Sequence, residues 1–554
     1  MHKMANQNGY KKTLGDRIDD AIAVFSPAAA AKRQAARWAI KQMTGSYRGA
    51  QGGRLRGNWL PGGGSADYDL LSDLPKLRER SRDLVRNDGI ASGAVETIVT
   101  NVIGSGIRPQ SNIDKDELKI SEEYAFELTK QIEKVWKEWV PAADAGNRQN
   151  FYEIEELEER QRFINGESII IPLRVKNSKR RRRYSLALQV VESDRLCTPN
   201  GMTADKTVRS GIKIGDYGEA IEYYIRKTHP GDYNYSAFSS SNNPDNFVIY
   251  PAYNDLGDPN IYHLYHVKRA GQSRGEPFFS PVLNIFKDRA DYMESEMVAA
   301  RVAACFAVFI KKEVPFSNTF NPNTVTGDTT KRAETLSPGI VKRLLPGEDI
   351  VAFNPNRPGG TFGLFMEVIL REAAAGVGLP YEIVAKDFSK SNYSNMRAAL
   401  IEAYRFFGKQ QDFVIRNLCM PIWSLLLEEA YLMGELPILD FYSNRSEYIK
   451  ARWIAPGWKW VDPEKEANAS VTAIDNNLTT MSDELAGKGD DWEEILEQRA
   501  KEEKKKKELE EKYGIKLSGT KPAVNKSFPN KEKENNPDNG KDPGQEDKED
   551  EKNK

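Results

Sequence analysis

The chain has 554 residues, more than one hydrophobic core supports, so three or more structural units are expected. Lys and Arg total 80 and Asp and Glu 81, a formal charge of -1, which excludes a globally basic coat and makes any nucleic-acid contact local. The longest uncharged apolar run near the middle, Val302 to Ile310, is far short of the ~20 residues of a membrane span and excludes a membrane protein. The N-terminal MHKMANQNGYKKTLGDR holds no apolar stretch, so no secretory signal is expected. Cys197, Cys305 and Cys419 are too scattered for a disulfide framework or a zinc site, and a reducing cytoplasm is the implied setting.

Residues 1–64 combine a short amphipathic stretch (Asp16 to Val24), an Ala/Lys/Arg run (Ala28 to Lys41) and a Gly/Arg segment ending in Pro61-Gly62-Gly63-Gly64, an arm expected to order against a partner. Leu74, Leu77, Leu84, Ile90, Val95 and Ile98 recur near helical spacing and predict two short helices over 65–100. Leu118 to Trp139 and Phe151 to Ile164 supply two more. The period then changes: 166–175, 184–191, 221–228, 246–253 and 261–268 are rich in β-branched and aromatic residues and predict strands, making an α+β module to residue 277.

Ser280 and Pro281 read as an N-cap and an N1 proline opening a helix over 281–312, about 48 Å long at ~1.5 Å per residue. Its alanines, Ala299, Ala300, Ala303, Ala304 and Ala307 among them, let neighbouring backbones approach. Residues 313–360 break the pattern, and GIVKRLL with EDIVAFN about Pro346-Gly347 predicts a β-hairpin in a small inserted module. A helix over 362–377 stops at Gly378-Leu379-Pro380, 381–393 reads as a polar loop, and Ser394 caps a long helix to Met433 that Pro421 kinks. Past a Trp-rich stretch (Trp453, Trp458, Trp460), two polar helices are predicted within 463–513. There KEEKKKKELEEK balances Lys with Glu and reads as a solvated helix end. Residues 516–554 hold almost no apolar side chain and are expected to be disordered.

Tests for catalysis come out negative. Gly271-Gln272-Ser273-Arg274-Gly275 has the nucleophile-elbow spacing, but Pro277 interrupts the helix that should follow, and His2, His229, His263 and His266 all precede Ser273. The segment reads as a turn. His263 and His266 point to opposite faces of a strand and read as packing residues rather than ligands of one metal. Gly52 to Gly57 continues Asn58-Trp59 and forms no phosphate loop, and Gly104-Ser105-Gly106 lacks a third glycine. Pro537-Asp538 with Glu546 and Lys548 traces a nuclease-like pattern in a charged tail with no strand to hold it. Lys179 to Arg183 is the one dense basic cluster, most simply an exposed hairpin tip, with DNA or an acidic partner as the alternative.

Several segments in order resemble the lambda-type family of tailed-bacteriophage portal proteins: LRERSRDLVRND at 77–88, NVIGSGIRPQ at 101–110, NGESII at 165–170, VVESDRL at 190–196, GQSRGEP at 271–277, AARVAACFAVFIKK at 299–312, LLPGEDIVAFNP at 344–355, GLPYEIVAKDFSKSNYSNMRAALIEAYR at 378–405 and VDPEKEANA at 461–469. The resemblance covers roughly residues 15–513; Asn395 departs from the pair of serines usual after Tyr393. It implies a dodecameric ring of α+β portal architecture at the capsid vertex: N-terminal arm 1–64, wing 65–277, stem helices 278–312 and 361–380, clip 313–360, tunnel loop 381–393, a kinked helix and wing return 394–460, crown 461–515 and a disordered tail.

By the same resemblance, Lys386, Asp387, Phe388, Ser389, Lys390, Asn392 and Tyr393 face the DNA channel. Lys342, Arg343, Glu348 and Asp349 dock terminase or adaptors, and the stem alanines mediate ring assembly. The implied partners are further copies of the chain, the terminase large subunit, the major capsid protein, head-completion and tail adaptor proteins, and double-stranded DNA held non-specifically. No catalytic residue, metal or cofactor is implied, and the protein belongs to the virion after assembly in the host cytoplasm. The competing readings are an enzyme using Ser273 or the tail carboxylates, and a monomeric DNA-binding module using residues 179–183.

Overall fold

A computed structural model describes residues 62–175, 182–232, 244–304, 308–312, 348–352, 361–458 and 463–514, with helical residues scattered between 18 and 36. Three helices replace the two expected over 65–100: α1 (Ala66–Leu71), α2 (Leu74–Asn87) and α3 (Gly89–Val102). The extra boundary comes from capping. The Ser65 hydroxyl accepts the Tyr68 amide, and Asp88 accepts the amides of Ile90 and Ala91, so the chain restarts at Gly89. Strand β1 (Arg108–Ser111) follows, then α4 (Glu122–Trp139), and then α5 (Phe151–Asn165), which opens on a reciprocal capping box between Asn150 and Glu153.

The strands are β2 (Glu167–Arg174), β3 (Leu186–Val191), β4 (Val208–Arg209), β5 (Ile212–Ile214), β6 (Ala220–Arg226), β7 (Phe247–Pro251) and β8 (Tyr262–Tyr265). They form two antiparallel sheets in the orders β3-β2-β8 and β4-β5-β6-β7. Strand β2 is buried on both faces, which is why it reads as an unbroken apolar run. Ile170 enters the larger core with the helices, whereas Ile169 and Ile171 join Ile212, Tyr223 and Ile225 in a smaller core between the sheets. In the larger core Trp136 packs against Phe151 at 4.9 Å and Trp423 at 5.5 Å.

The predicted helix 281–312 is shorter in the structure. Ser280–Val282 forms a 3-10 turn in which the Ser280 hydroxyl donates to the Pro277 carbonyl instead of capping, and α6 runs Leu283–Ala304. At ~1.5 Å per residue its length is about 33 Å. Residues Val308–Lys312 form β9, paired antiparallel with β10 (Glu348–Ala352), Ile310 opposite Ile350. EDIVA therefore pairs with the end of the expected helix, and GIVKRLL, its expected hairpin partner, lies outside the described residues. Val308, Phe309 and Ile310 suit either state, and a partner distant in sequence decides for strand.

Helix α7 (Phe362–Gly376) matches expectation, with Gly378 at φ +72° ending it. The 381–393 segment is only partly a loop: α8 (Tyr381–Ala385) comes first and a turn over 386–392 second. Helix α9 (Tyr393–Val414) is capped by Asn392, whose side chain accepts the Asn395 amide at 2.9 Å, so Ser394 lies inside the first turn. The expected kink at Pro421 is a π-helical segment, Ile415–Cys419, leading into α10 (Met420–Leu432). A proline has no amide to donate, and the widened turn precedes it. Strand β11 (Ala451–Ile454) returns to pair with β1.

The chain divides into two compact units at about residue 463. Within the described residues 463–514 there are three helices where two were expected: α11 (Pro463–Asp475), α12 (Met481–Ala486) and α13 (Trp492–Tyr513). In α13 Lys501, Lys505 and Lys506 pair with Glu497, Glu508 and Glu503, as a solvated helix does. Among the described residues no helix is long and apolar enough to cross a membrane.

Candidate functional site

The structure gathers six of the seven residues singled out near 386–393 in one turn between α8 and α9, and the seventh, Tyr393, opens α9. Lys386 takes the left-handed conformation at φ +53° and its chain lies against Gly93 of α3. Asp387 organises the turn: one carboxylate oxygen accepts the Ser389 amide at 3.0 Å and hydroxyl at 2.6 Å, and the other accepts the Tyr381 hydroxyl at 3.1 Å. The Ser389 donors hold the Asp387 carboxyl below its ordinary range. Lys390 reaches back to Glu367 of α7 at 2.6 Å, and Glu367 also accepts from Arg371 at 2.6 Å. That lysine bond is the main cause of a depressed Glu367 carboxyl. Phe388 and Tyr393 are half-exposed, while Asn392 is spent on the cap. Glu367 went unnoticed in the sequence, although a lone acid in FGLFMEVIL was the available signal.

Helices α6 and α7 lie together, Tyr292 stacking on Phe362 at 5.7 Å and meeting Phe365 edge-on at 5.5 Å. Asp88, the α3 cap, also accepts from Arg289 and ties α6 to the core. The outward side of the pair is apolar: Leu364 is 60%, Phe365 51% and Val368 59% exposed, and α6 adds Met297 and Val298. An open groove of about 550 Å³ lies there, lined by Tyr292, Thr361, Phe362, Leu364, Phe365 and Val368. Of the alanines, Ala299 and Ala300 sit in the last turns of α6, Ala303 and Ala304 close it, and Ala307 lies outside the described residues. Glu348 and Asp349 open β10, whereas Lys342 and Arg343 lie outside the described residues.

The 271–275 segment is a structural hub. Arg274 is fully buried, its Nε 3.0 Å from both oxygens of Glu167 and its other nitrogens on the carbonyls of Leu196 (2.8 Å) and Ser193 (3.0 Å). Arg78 adds a second ion pair to Glu167 at 2.6 Å, and His263 Nε2 lies 2.9 Å from it. Burial alone would raise Glu167, but Arg274, Arg78 and His263 hold it well below the carboxylate range. Gly166, at φ +89°, and Gly275 touch backbone to backbone, so a Cβ on either would overlap the other strand. The buried Ser273 hydroxyl has no hydrogen-bond partner among the described residues, while its amide donates to Asp67 at 2.8 Å. His266 faces Arg162 and Gln410 instead of the Glu167 cluster, so the two histidines do not converge.

The basic hairpin tip differs from expectation. Residues 176–181 lie outside the described set, but Arg182 is buried and donates to the carbonyls of Ala142 and Asp144, and Arg183 pairs with Glu138 and Glu435. Glu192, Asp194 and His229 lie close enough to suggest a metal. Arg82 already pairs with both carboxylates, and the Gly231 amide donates to His229 Nδ1, which leaves the proton on Nε2 facing them. A ligating Nε2 needs the opposite tautomer.

Among the described residues the body is mixed helix and sheet, and its α6–α7 pair carries an exposed apolar face. Residues 52–411 match the family model described as phage portal protein, lambda family, and the chain belongs to that family. The portal protein of Escherichia phage N15 is 26% identical over 480 residues, spanning 82% of this chain and 88% of the relative. Portal protein B of Escherichia phage lambda is 24% identical over 493 residues, spanning 84% and 90%. Among solved structures, a chain in the neck of the native GTA particle is similar at 13% identity with a TM-score of 0.39, covering 74% of this chain and 91% of that one.

Proposed function

We propose that twelve copies of this chain close into the ring at the single capsid vertex, through which double-stranded DNA enters and leaves. The observation that carries this reading, beyond family membership, is the apolar face of α6 and α7. A groove lined by three aromatics has no reason to face water in an isolated subunit, and a copy related by rotation covers it and closes the set. Native mass spectrometry of the purified protein tests this: a closed ring is expected, and a strictly monomeric species at micromolar concentration overturns it.

The ring acts as a passive conduit and docking platform seated among major capsid proteins. The terminase large subunit supplies the ATP-driven motor, followed by head-completion and tail adaptor proteins. A net charge of -1 suits a channel through which phosphates must slide, since a strongly basic lumen would hold DNA by counterion release. Residues 313–360 are read as the clip. Charge reversal of Lys342, Arg343, Glu348 and Asp349 is expected to weaken terminase binding in a pull-down while native mass spectrometry still finds the ring; unchanged binding removes the clip assignment.

The 386–392 turn is read as the channel-facing loop, contacting phosphates without reading bases. Lys386→Ala with Lys390→Ala is expected to leave ring assembly intact and to lower the retention of packaged DNA. Particles that hold full genomes as stably as the parent would make the turn a connection only.

A further inference from the structure

Helix α5 carries Glu155, Glu158 and Glu159 at i, i+3 and i+4, all fully buried. Glu155 accepts the Ile107 amide at 3.0 Å and the Cys419 thiol, at 3.2 Å, from the π segment between α9 and α10. Glu158 and Glu159 both bind Arg162, whose NH1 continues to Gln410 of α9 at 2.9 Å and to His266 at 2.8 Å. One oxygen of Glu158 and one of Glu159 are buried with no partner among the described residues.

The groups bearing on the three carboxyls are Arg162 and Glu156 from α5, Cys419 from the π segment, Gln410 from α9, and His266 beyond β8. Burial, with Arg162, Lys409 and Lys268, lowers His266 to about 4, so it is neutral near pH 7. Three carboxylates would then face one guanidinium without water, leaving two uncompensated buried charges. The same site holds the π segment Ile415–Cys419, an irregularity inside a helix of the kind frequent at functional sites.

We infer that Glu155, Glu158 and Glu159 form a proton-loaded lock on the joint between α9 and α10, closed while two of the three carboxyls are protonated and the third pairs with Arg162, and released when all three ionise. Burial raises Glu155 and Glu158 to about 8 and Glu159 in the same direction. The folded chain thus keeps protons that the unfolded chain has lost. The stability this confers is complete below the ordinary carboxylate range and drains away as pH rises toward about 8. Since α9 begins at the 386–392 turn, the lock sets how firmly that turn is anchored to the core.

Hydrogen exchange of the full-length protein, corrected for the intrinsic pH dependence, tests the lock. Between about pH 6 and about pH 9 the protection of 410–424 is expected to fall about tenfold or more while that of β2 and β3 does not. Glu155→Gln and, separately, Glu158→Gln are expected to flatten the fall. A profile without the fall, or the same fall in a folded Gln variant, overturns the proposal. Infrared spectra of the unmodified protein give a check that needs no variant: a protonated-carboxyl band present near neutral pH and gone by about pH 10 supports the lock, and its absence near neutral pH overturns it.

Discussion

Arg274→Met is expected to destabilise the subunit by about 3–5 kcal/mol, read as the loss in urea or thermal unfolding at matched protein concentration. The guanidinium is the one group that joins Glu167, the Ser193 carbonyl and the Leu196 carbonyl in a site without exposure. Removing it takes a donor from the Leu196 and Ser193 carbonyls and leaves Glu167 with Arg78, His263 and the Gly275 amide. Arg274→Lys is expected to rescue little, because a point ammonium cannot make the fork of bonds that a planar guanidinium makes. Glu167 is held well below its ordinary range, so the stability it contributes is present above that range and is lost as pH falls through its folded value. The parent should therefore lose this contribution at low pH, and the Arg274→Met variant should show a smaller acid-induced loss. A variant as stable as the parent would make the hub incidental.

Phe365→Asp combined with Val368→Asp is expected to abolish the ring while leaving the subunit folded. Both side chains are half or more exposed, so their loss opens no cavity within the subunit. In a ring each interface would have to bury two unpaired carboxylates, weakening it by about 3 kcal/mol or more. Native mass spectrometry is expected to show monomers of unchanged far-ultraviolet circular dichroism. Rings at parental abundance would show that α7 faces solvent in the assembly and would remove the observation on which the proposed ring rests.

Local signals were legible along most of the chain. The helix from Phe151, the stop at Gly378 and the Lys/Glu spacing of α13 each depend on neighbours within one or two turns. β-Branched and aromatic content located β2, β3, β6, β7 and β8 to within a few residues. The turn between α8 and α9 was legible as a place, and Lys386 and Lys390 as its charges. Glu367, which engages Lys390, comes from another helix and has no spacing rule to announce it.

Two of the misreadings share one cause. Val308–Lys312 is a strand because Glu348–Ala352 lies beside it, and Arg182 is buried because the carbonyls of Ala142 and Asp144 wait there. The order of elements, the absence of a phosphate loop and membership of the portal family follow from the residues alone, since motifs and helix signals are written in contiguous sequence. What tertiary structure alone decided is which charges are buried together: Glu167 with Arg78, Arg274 and His263, and the α5 carboxyls against Cys419. Those groups are brought into contact across tens to hundreds of residues, and burial then sets their charge state, a quantity that no local pattern carries.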